Sequence, residues 1–292
     1  MFFGSIPAVI TPFKNNDVDY NSFEKIVNFL IDNGSNGLVP CGTTGESPTL
    51  SHEEHKKIIE ETIKINDRRV PIIAGTGSNN TKEAIDYTKH AESVGADAAL
   101  VVTPYYNKPT QKGMFEHFKA VQDVGSPVII YNIPPRSVVD MTPETMAELA
   151  KLPNIIGVKD ATCDLGRPQV TRSAMNGDKN FCFLSGEDGT AIPFLAAGGS
   201  GCISVTANVA PRICAEMQRK WREFDITGCM ELQERLTPLH SALFCETSPG
   251  PVKFAASLLG KCGAETRLPM TEIAEDSKTK VRKALVDLGL LN

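Results

Sequence analysis

Lys159 closes the apolar run IIGVK and Tyr131 closes the run PVIIY. A lysine leaving a strand has two readings. One is the first solvated residue of a loop, its stem laid along apolar surface. The other is an amine held in a dry pocket, where loss of water disfavours an ammonium and leaves a nucleophile able to form an imine with a ketone. Tyr131 has the matching pair: a buried aromatic with its hydroxyl on a carbonyl, or a phenol that moves protons while an imine forms. Residues 41–46, CGTTGE, read either as a glycine turn or as backbone N–H groups and the Thr43 and Thr44 hydroxyls converging on a carboxylate. With Tyr106 these hydroxyls could form a relay that carries protons without a fixed charge. No P-loop lysine follows residues 41–46, so a small keto acid suits the site better than a phosphorylated sugar.

These residues need a scaffold that gathers strand ends. Eight short apolar runs recur along the chain: SIPAVITPF, GLVPCG, VPIIAG, DAALVVTP, PVIIYNIP, IIGVKDA, FCFLSG and CISVTAN. They start every ~20–35 residues and are separated by amphipathic stretches, as in a parallel βα repeat. Most are continuous rather than alternating, as expected of strands covered on both faces. Ser51 with Glu54 forms a capping box, Gly95 stops a helix over 81–94, and Thr142-Pro143 opens another. Past Asn208 only helical patterns remain, over 211–224, 227–244, 251–259 and 271–288. The expectation is an α/β fold, a (β/α)8 TIM barrel over 1–225 with a C-terminal helical extension over 226–292. A doubly wound sheet would want a glycine fingerprint after the first strand, and residues 75–80 (GTGSNN) lack its third glycine.

In a barrel the chemistry sits at the carboxyl ends of the strands. The residues there are hydroxyls, phenols, glycines and one lysine, with few carboxylates and no histidine. A metal-dependent aldolase would need a His/Asp/Glu ligand cluster, so no metal is expected. The 292 residues carry 30 Lys+Arg against 35 Asp+Glu, a balance that recruits no nucleic acid. No apolar run approaches the ~20 residues of a membrane span. The N-terminus has no cationic leader, and none of the eight cysteines lies in a C-x-x-C. A cytoplasmic protein with reduced cysteines used as packing is expected.

Three blocks, GTTGES (42–47), YNIP (131–134) and GVKDA (157–161), resemble the pyruvate-dependent Schiff-base aldolases of the dihydrodipicolinate synthase/N-acetylneuraminate lyase group. The resemblance spans the whole chain. Arg136, in YNIPPRS, points to the synthase branch, where a guanidinium fork at this place holds the carboxylate of aspartate semialdehyde. The resemblance implies that Lys159 forms a Schiff base with pyruvate and that Tyr131 is the general acid/base. Thr43 and Tyr106 complete the proton relay, Tyr106 reaching into a neighbouring subunit. Thr44 and Ile203 bind pyruvate, and Gly186 contributes backbone. The implied reaction joins pyruvate to L-aspartate 4-semialdehyde, giving 4-hydroxy-tetrahydrodipicolinate on the diaminopimelate route to lysine. No cofactor beyond the covalent pyruvate adduct is implied, and the implied assembly is a homotetramer, a dimer of dimers.

Ser47, His52, His55, Asn79, Glu83 and Tyr105 match the feedback site of lysine-regulated synthases, although Pro48 stands where some relatives have a small residue. The plain reading of His52 and His55 is a helix end. Three alternatives stay open. An N-acetylneuraminate lyase or keto-deoxy sugar acid aldolase would prefer neutral polar groups at position 136. A non-catalytic keto-acid-binding barrel would give no borohydride-trapped adduct. A metal-dependent aldolase would lose activity in EDTA.

Overall fold

The first apolar run yields a strand shorter than the run itself. In the structure, a computed structural model that describes residues 1–176 and 181–292, β1 covers Gly4–Pro7. The run GLVPCG then meets it through one parallel bridge, Ala8 to Val39, flanked by Val39 N–H on Pro7 O and Val9 N–H on Val39 O, both 2.9 Å. A hairpin that the sequence pattern did not announce follows, β2 (Phe13–Lys14) against β3 (Asp17–Val18). Its turn residues Asn15 and Asn16 both have positive φ, 54° and 68°, the twist that two-residue hairpins favour.

The chain forms two units, one of Met1–Phe3 and Pro71–Ile203, the other of Gly4–Val70 and Ser204–Asn292. The first carries most of the expected repeat. Its strands are β4 (Ile73–Gly75), β5 (Ala98–Val102), β6 (Val128–Asn132), β7 (Ile155–Asp160), β8 (Cys182–Ser185) and β9 (Gly201–Ser204). They lie side by side in that order, every neighbouring pair parallel. Helices Thr81–Ser93, Gln111–Gln122, Pro143–Leu149, Arg167–Ala174 and Ala191–Ala196 connect them. Met114, Phe118, Ile130, Met146, Val158 and Phe183 join one buried cluster that seals helices against strands. Such burial on both faces is why the strand sequences are continuously apolar.

The second unit is mostly helical. Tyr20–Asp32 buries Phe23, Ile26, Val27 and Leu30, spaced for one helical face. His52–Asn66 packs beside it and opens on the expected capping box, with both halves formed. Pro211–Arg222, Ile226–Ala242, Gly250–Leu258 and Glu275–Asp287 complete it. The last helix starts four residues later than the 271–288 pattern suggested. Ala274 is extended at its N-cap (ψ 155°), and its N–H donates to Glu246 at 2.9 Å instead of entering the helix.

All eight cysteines are free. Cys41, Cys182, Cys202, Cys214 and Cys229 are buried as packing residues, but Cys163 is exposed, so that reading fails for it. Among the described residues no helix is long and apolar enough to cross a membrane.

Candidate active site

Adjacent parallel strands bring side chains of equal register onto one face. Tyr131 in β6 stands opposite Lys159 in β7. The Lys159 Nζ lies 4.1 Å from the centroid of the Tyr131 ring. Both side chains are buried, with 7% and 6% of their surface exposed. Lys159 has no ion-pair partner among the described residues. The carboxylate next in sequence, Asp160, turns away to accept from Thr162 N at 2.8 Å and Thr162 Oγ1 at 2.7 Å. Burial pushes the Asp160 carboxyl above the usual carboxylate range, against the pull of those two bonds. An amine in this setting faces a phenol and, among the described residues, no counter-charge.

Gly186 follows β8, and its N–H donates to Asp160 O at 2.6 Å. A Cβ there would stand 2.8 Å from Ala161 Cβ and 3.1 Å from Lys159 Cε. Glycine is therefore what lets this backbone close over the lysine stem. Ile203, in β9, is 1% exposed. Thr103, directly after β5, buries a hydroxyl that has no partner among the described residues.

Arg136 projects from a short helix, Pro134–Ser137, and is exposed. Its loop is tied at the base by Asn132, whose Nδ2 donates to Asp140 Oδ1 at 2.8 Å and whose Oδ1 accepts from Met141 N at 3.1 Å. Arg167 secures Asp140 from the other side and donates to Met141 O at 3.1 Å. Ser137 Oγ bonds to Ile133 O at 2.9 Å, so the serine hydroxyl closes the turn from within. Sequence reading placed Asn132 at the strand end but gave no reason to notice Asp140, whose role appears only once the loop folds back. Tyr106 departs from the buried group: it is 88% exposed at φ 70°.

In the other unit, Thr43–Gly45 forms a single 3-10 turn, with Thr44 buried and Thr43 half-buried. Thr11 Oγ1 donates to Gly45 O at 2.7 Å. Glu46, next in line, is 3% exposed, and its carboxylate accepts from Lys253 Nζ at 2.6 Å. Positions 46 and 253 carry no spacing signal that could have joined them.

The residues matched to a lysine site are divided between the units. Ser47, His52 and His55 belong to the helical unit; His52 is exposed, while His55 is buried. Asn79, Glu83 and Tyr105 belong to the sheet unit. There Ser78 Oγ bonds to Glu83, and Asn107 Nδ2 donates to Asn79 O at 2.9 Å.

A family model described as the dihydrodipicolinate synthetase family matches residues 1–288. The 4-hydroxy-tetrahydrodipicolinate synthase of Rhodospirillum centenum is 59% identical over 292 residues, covering 100% of both chains. A chloride-inhibited dihydrodipicolinate synthase from Acinetobacter baumannii, solved with pyruvate, is 45% identical, has a TM-score of 0.96 and covers 100% of both chains. A DHDPS from Cyanidioschyzon merolae with lysine bound is 36% identical, has a TM-score of 0.95 and covers 99% of both. The fold is the expected (β/α)8 barrel with C-terminal helices. On sequence and fold together, the chain belongs to the dihydrodipicolinate synthetase family.

Proposed function

We propose that the chain has 4-hydroxy-tetrahydrodipicolinate synthase activity, condensing pyruvate with L-aspartate 4-semialdehyde through a Schiff base at Lys159. The observation that carries the reading is the buried amine of Lys159 set 4.1 Å from the Tyr131 ring with no carboxylate paired to it among the described residues. The Lys159 amine adds to the pyruvate ketone, and loss of water leaves the imine. Removal of a methyl proton gives the enamine, which attacks the semialdehyde carbonyl. The amine of the new chain then displaces Lys159 and closes the ring, returning the free lysine. Tyr131 moves the protons that these steps require.

Thr43 and Tyr106 extend the proton relay, and Thr44, Gly186 and Ile203 hold pyruvate. Arg136 takes the carboxylate of the semialdehyde in its guanidinium fork. The exposure of Tyr106 fits a residue completed by a neighbouring subunit, so the working unit is at least a dimer, and a homotetramer built as a dimer of dimers is the assembly proposed. Residues 1–225 serve as the catalytic barrel and 226–292 as its helical extension. No metal or further cofactor enters this chemistry. L-Lysine is the feedback ligand proposed for Ser47, His52, His55, Asn79, Glu83 and Tyr105, and the cytoplasm is the proposed compartment.

The test is pyruvate consumption with aspartate semialdehyde or N-acetylmannosamine, paired with borohydride trapping and peptide mapping. The reading predicts turnover with the semialdehyde alone, its loss in Arg136→Ala, and a pyruvate adduct on Lys159. Turnover with the sugar would keep the Schiff base and overturn the substrate. An adduct elsewhere, or none, would overturn the mechanism.

A further inference from the structure

A buried lysine–carboxylate pair borders the threonine turn: Glu46 directly follows it, and Lys253 lies 207 positions further along the chain. Glu46 sits in the left-handed region at φ 54° and both ends the 3-10 turn Thr43–Gly45 and begins the next, Ser47–Thr49. Cys41, on the other side of Gly42, is left-handed as well, at φ 55°. Non-glycine residues hold such a conformation only where their surroundings over-determine it. The turn is too short to supply that constraint, since its backbone bonds are Gly45 N–H to Gly42 O and Glu46 N–H to Thr43 O, both 3.1 Å.

The constraint comes from the C-terminal extension. Lys253, on Gly250–Leu258, is 0% exposed and donates to Glu46 Oε1 at 2.6 Å. The Arg267 N–H donates to Glu46 Oε2 at 3.1 Å, so both carboxylate oxygens are fixed. The Arg267 guanidinium grips Glu54 through two bonds of 2.6 and 2.7 Å and donates to Thr49 O at 2.9 Å. Lys253 Nζ and Arg267 Cζ lie 4.1 and 4.3 Å from the centroid of the Phe13 ring. Glu265 accepts from Asn15 N at 3.0 Å and Asn16 N at 2.5 Å, tying down the β2–β3 turn that carries Phe13.

Stability alone is a poor reason for such a pair, because well-packed apolar residues of similar volume commonly do as well in its place. An apolar pair has no direction, however. A doubly anchored carboxylate fixes its own backbone, and here that backbone is the last residue of the threonine turn.

We propose that Lys253, acting through Glu46, is a positioning residue that sets the Thr43–Thr44 turn for the carboxylate of pyruvate. This rests on the reading of that turn as the pyruvate carboxylate site. It gives the C-terminal extension a catalytic consequence, although neither Lys253 nor Arg267 touches substrate. Charge pairing with Glu46 also separates Lys253 from Lys159: the extension lysine is held as a fixed donor and forms no imine.

The experiment measures steady-state kinetics and thermal midpoints on the full-length enzyme for Lys253→Met, for Glu46→Gln/Lys253→Met, and for Thr44→Val. The double variant removes the stranded charge and keeps the side-chain volumes, so it folds where the single variant fails. The expected result is a rise of about tenfold or more in KM for pyruvate, little change in KM for the semialdehyde, and a smaller fall in kcat. That rise persists in the double variant after its thermal midpoint recovers. A KM for pyruvate that returns to the wild-type value together with the midpoint would mean a structural pair only, and would overturn the proposal. Thr44→Val separates the two layers. If it leaves KM for pyruvate unchanged, the carboxylate reading of the turn fails; if it raises KM while the double variant does not, the positioning role alone fails.

Discussion

Among the described residues, each unit of this protein buries one lysine over an aromatic ring, and the two lysines have different partners. Lys159 stands 4.1 Å from the Tyr131 centroid and Lys253 stands 4.1 Å from the Phe13 centroid. Their exposures, 7% and 0%, put both away from bulk water. The difference is the partner. Lys253 is locked to Glu46 at 2.6 Å, while Lys159 has no ion pair among the described residues and faces a phenol instead of the plain ring of Phe13. Burial draws the Lys253 ammonium below the usual lysine range, and Glu46 opposes that shift by attraction and hydrogen bonding. Burial and aromatic contact therefore do not mark a reactive amine. On the function proposed above, what sets Lys159 apart is a missing counter-ion, among the described residues, beside a proton-carrying group.

The largest effect expected from this contrast is at Lys159. Lys159→Met should cost on the order of 10³-fold or more in turnover, because the proposed reaction runs through the amine that the change removes. Its unfolding midpoint in urea should hold or rise, since the change replaces a buried polar amine that has no ion-pair partner among the described residues with an apolar side chain. The contrast breaks if Lys159→Met retains turnover within tenfold, or if borohydride labels Lys253 instead.

Lys253→Met should show the reverse pattern. Removing one partner of a buried pair leaves the other charge uncompensated, which typically costs 3–5 kcal/mol, about the scale of the Lys159 effect on catalysis but read in stability. Urea unfolding measures it. A loss below about 1 kcal/mol would mean that water reaches Glu46 and that the pair is not truly dry.

The legibility of these two lysines in the sequence differs for a physical reason. Lys159 ends an apolar strand run, and the strand period and the barrel rule point to it without any tertiary knowledge. The succession of parallel strands was legible for the same reason, because burial on both faces writes itself as continuous apolar sequence. Lys253 lies inside the helix GPVKFAASL, where one charge among apolar residues reads as a solvated position. Only its pairing across 207 positions with Glu46 explains why it is inside. The β2–β3 hairpin was hidden likewise, its strands being two residues long and its turn held by Glu265 from the other end of the chain. Patterns report local periodicity; they are blind to partners that the fold supplies.

The sheet unit buries a second base, and it extends the contrast to pH. His117 is 4% exposed, its Nδ1 lies 2.9 Å from Thr81 Oγ1, and its Nε2 is buried without a partner among the described residues. Burial lowers its pKa from 6.5 to about 4. Above pH 6.5 the ring is neutral in both folded and unfolded chains, so it has no effect on their balance. Between pH 6.5 and about 4 the unfolded chain takes up a proton that the folded chain refuses, and stability falls as pH falls. The full loss is about 3 kcal/mol, complete near the folded pKa. His117→Gln should flatten that limb of the urea midpoint between pH 7 and pH 4. An unchanged limb would mean that the ring is protonated inside the fold and has found a partner there.

The smallest effect tests whether the helical unit is wired as a network where the sheet unit uses isolated caps. Ser51 Oγ accepts from Glu54 N at 3.2 Å, and Glu54 Oε2 accepts from Ser51 N at 2.9 Å. The same Glu54 carboxylate holds both terminal nitrogens of Arg267, which pull it below the usual carboxylate range. Thr142 caps Pro143–Leu149 with its side chain on Thr145 N at 3.3 Å and no such further link through that hydroxyl to a distant cation. Ser51→Ala and Thr142→Ala should each cost about 1 kcal/mol as lost caps. They should differ in coupling. Combined with Arg267→Met, Ser51→Ala should depart from additivity by roughly 0.5–1 kcal/mol, because both changes release the one carboxylate that serves cap and guanidinium together. Thr142→Ala with Arg267→Met should add within a few tenths. Additivity in both pairs would reduce the Glu54 link to two independent contacts, and the extension would then grip Glu46 and its turn without help from the helix that follows.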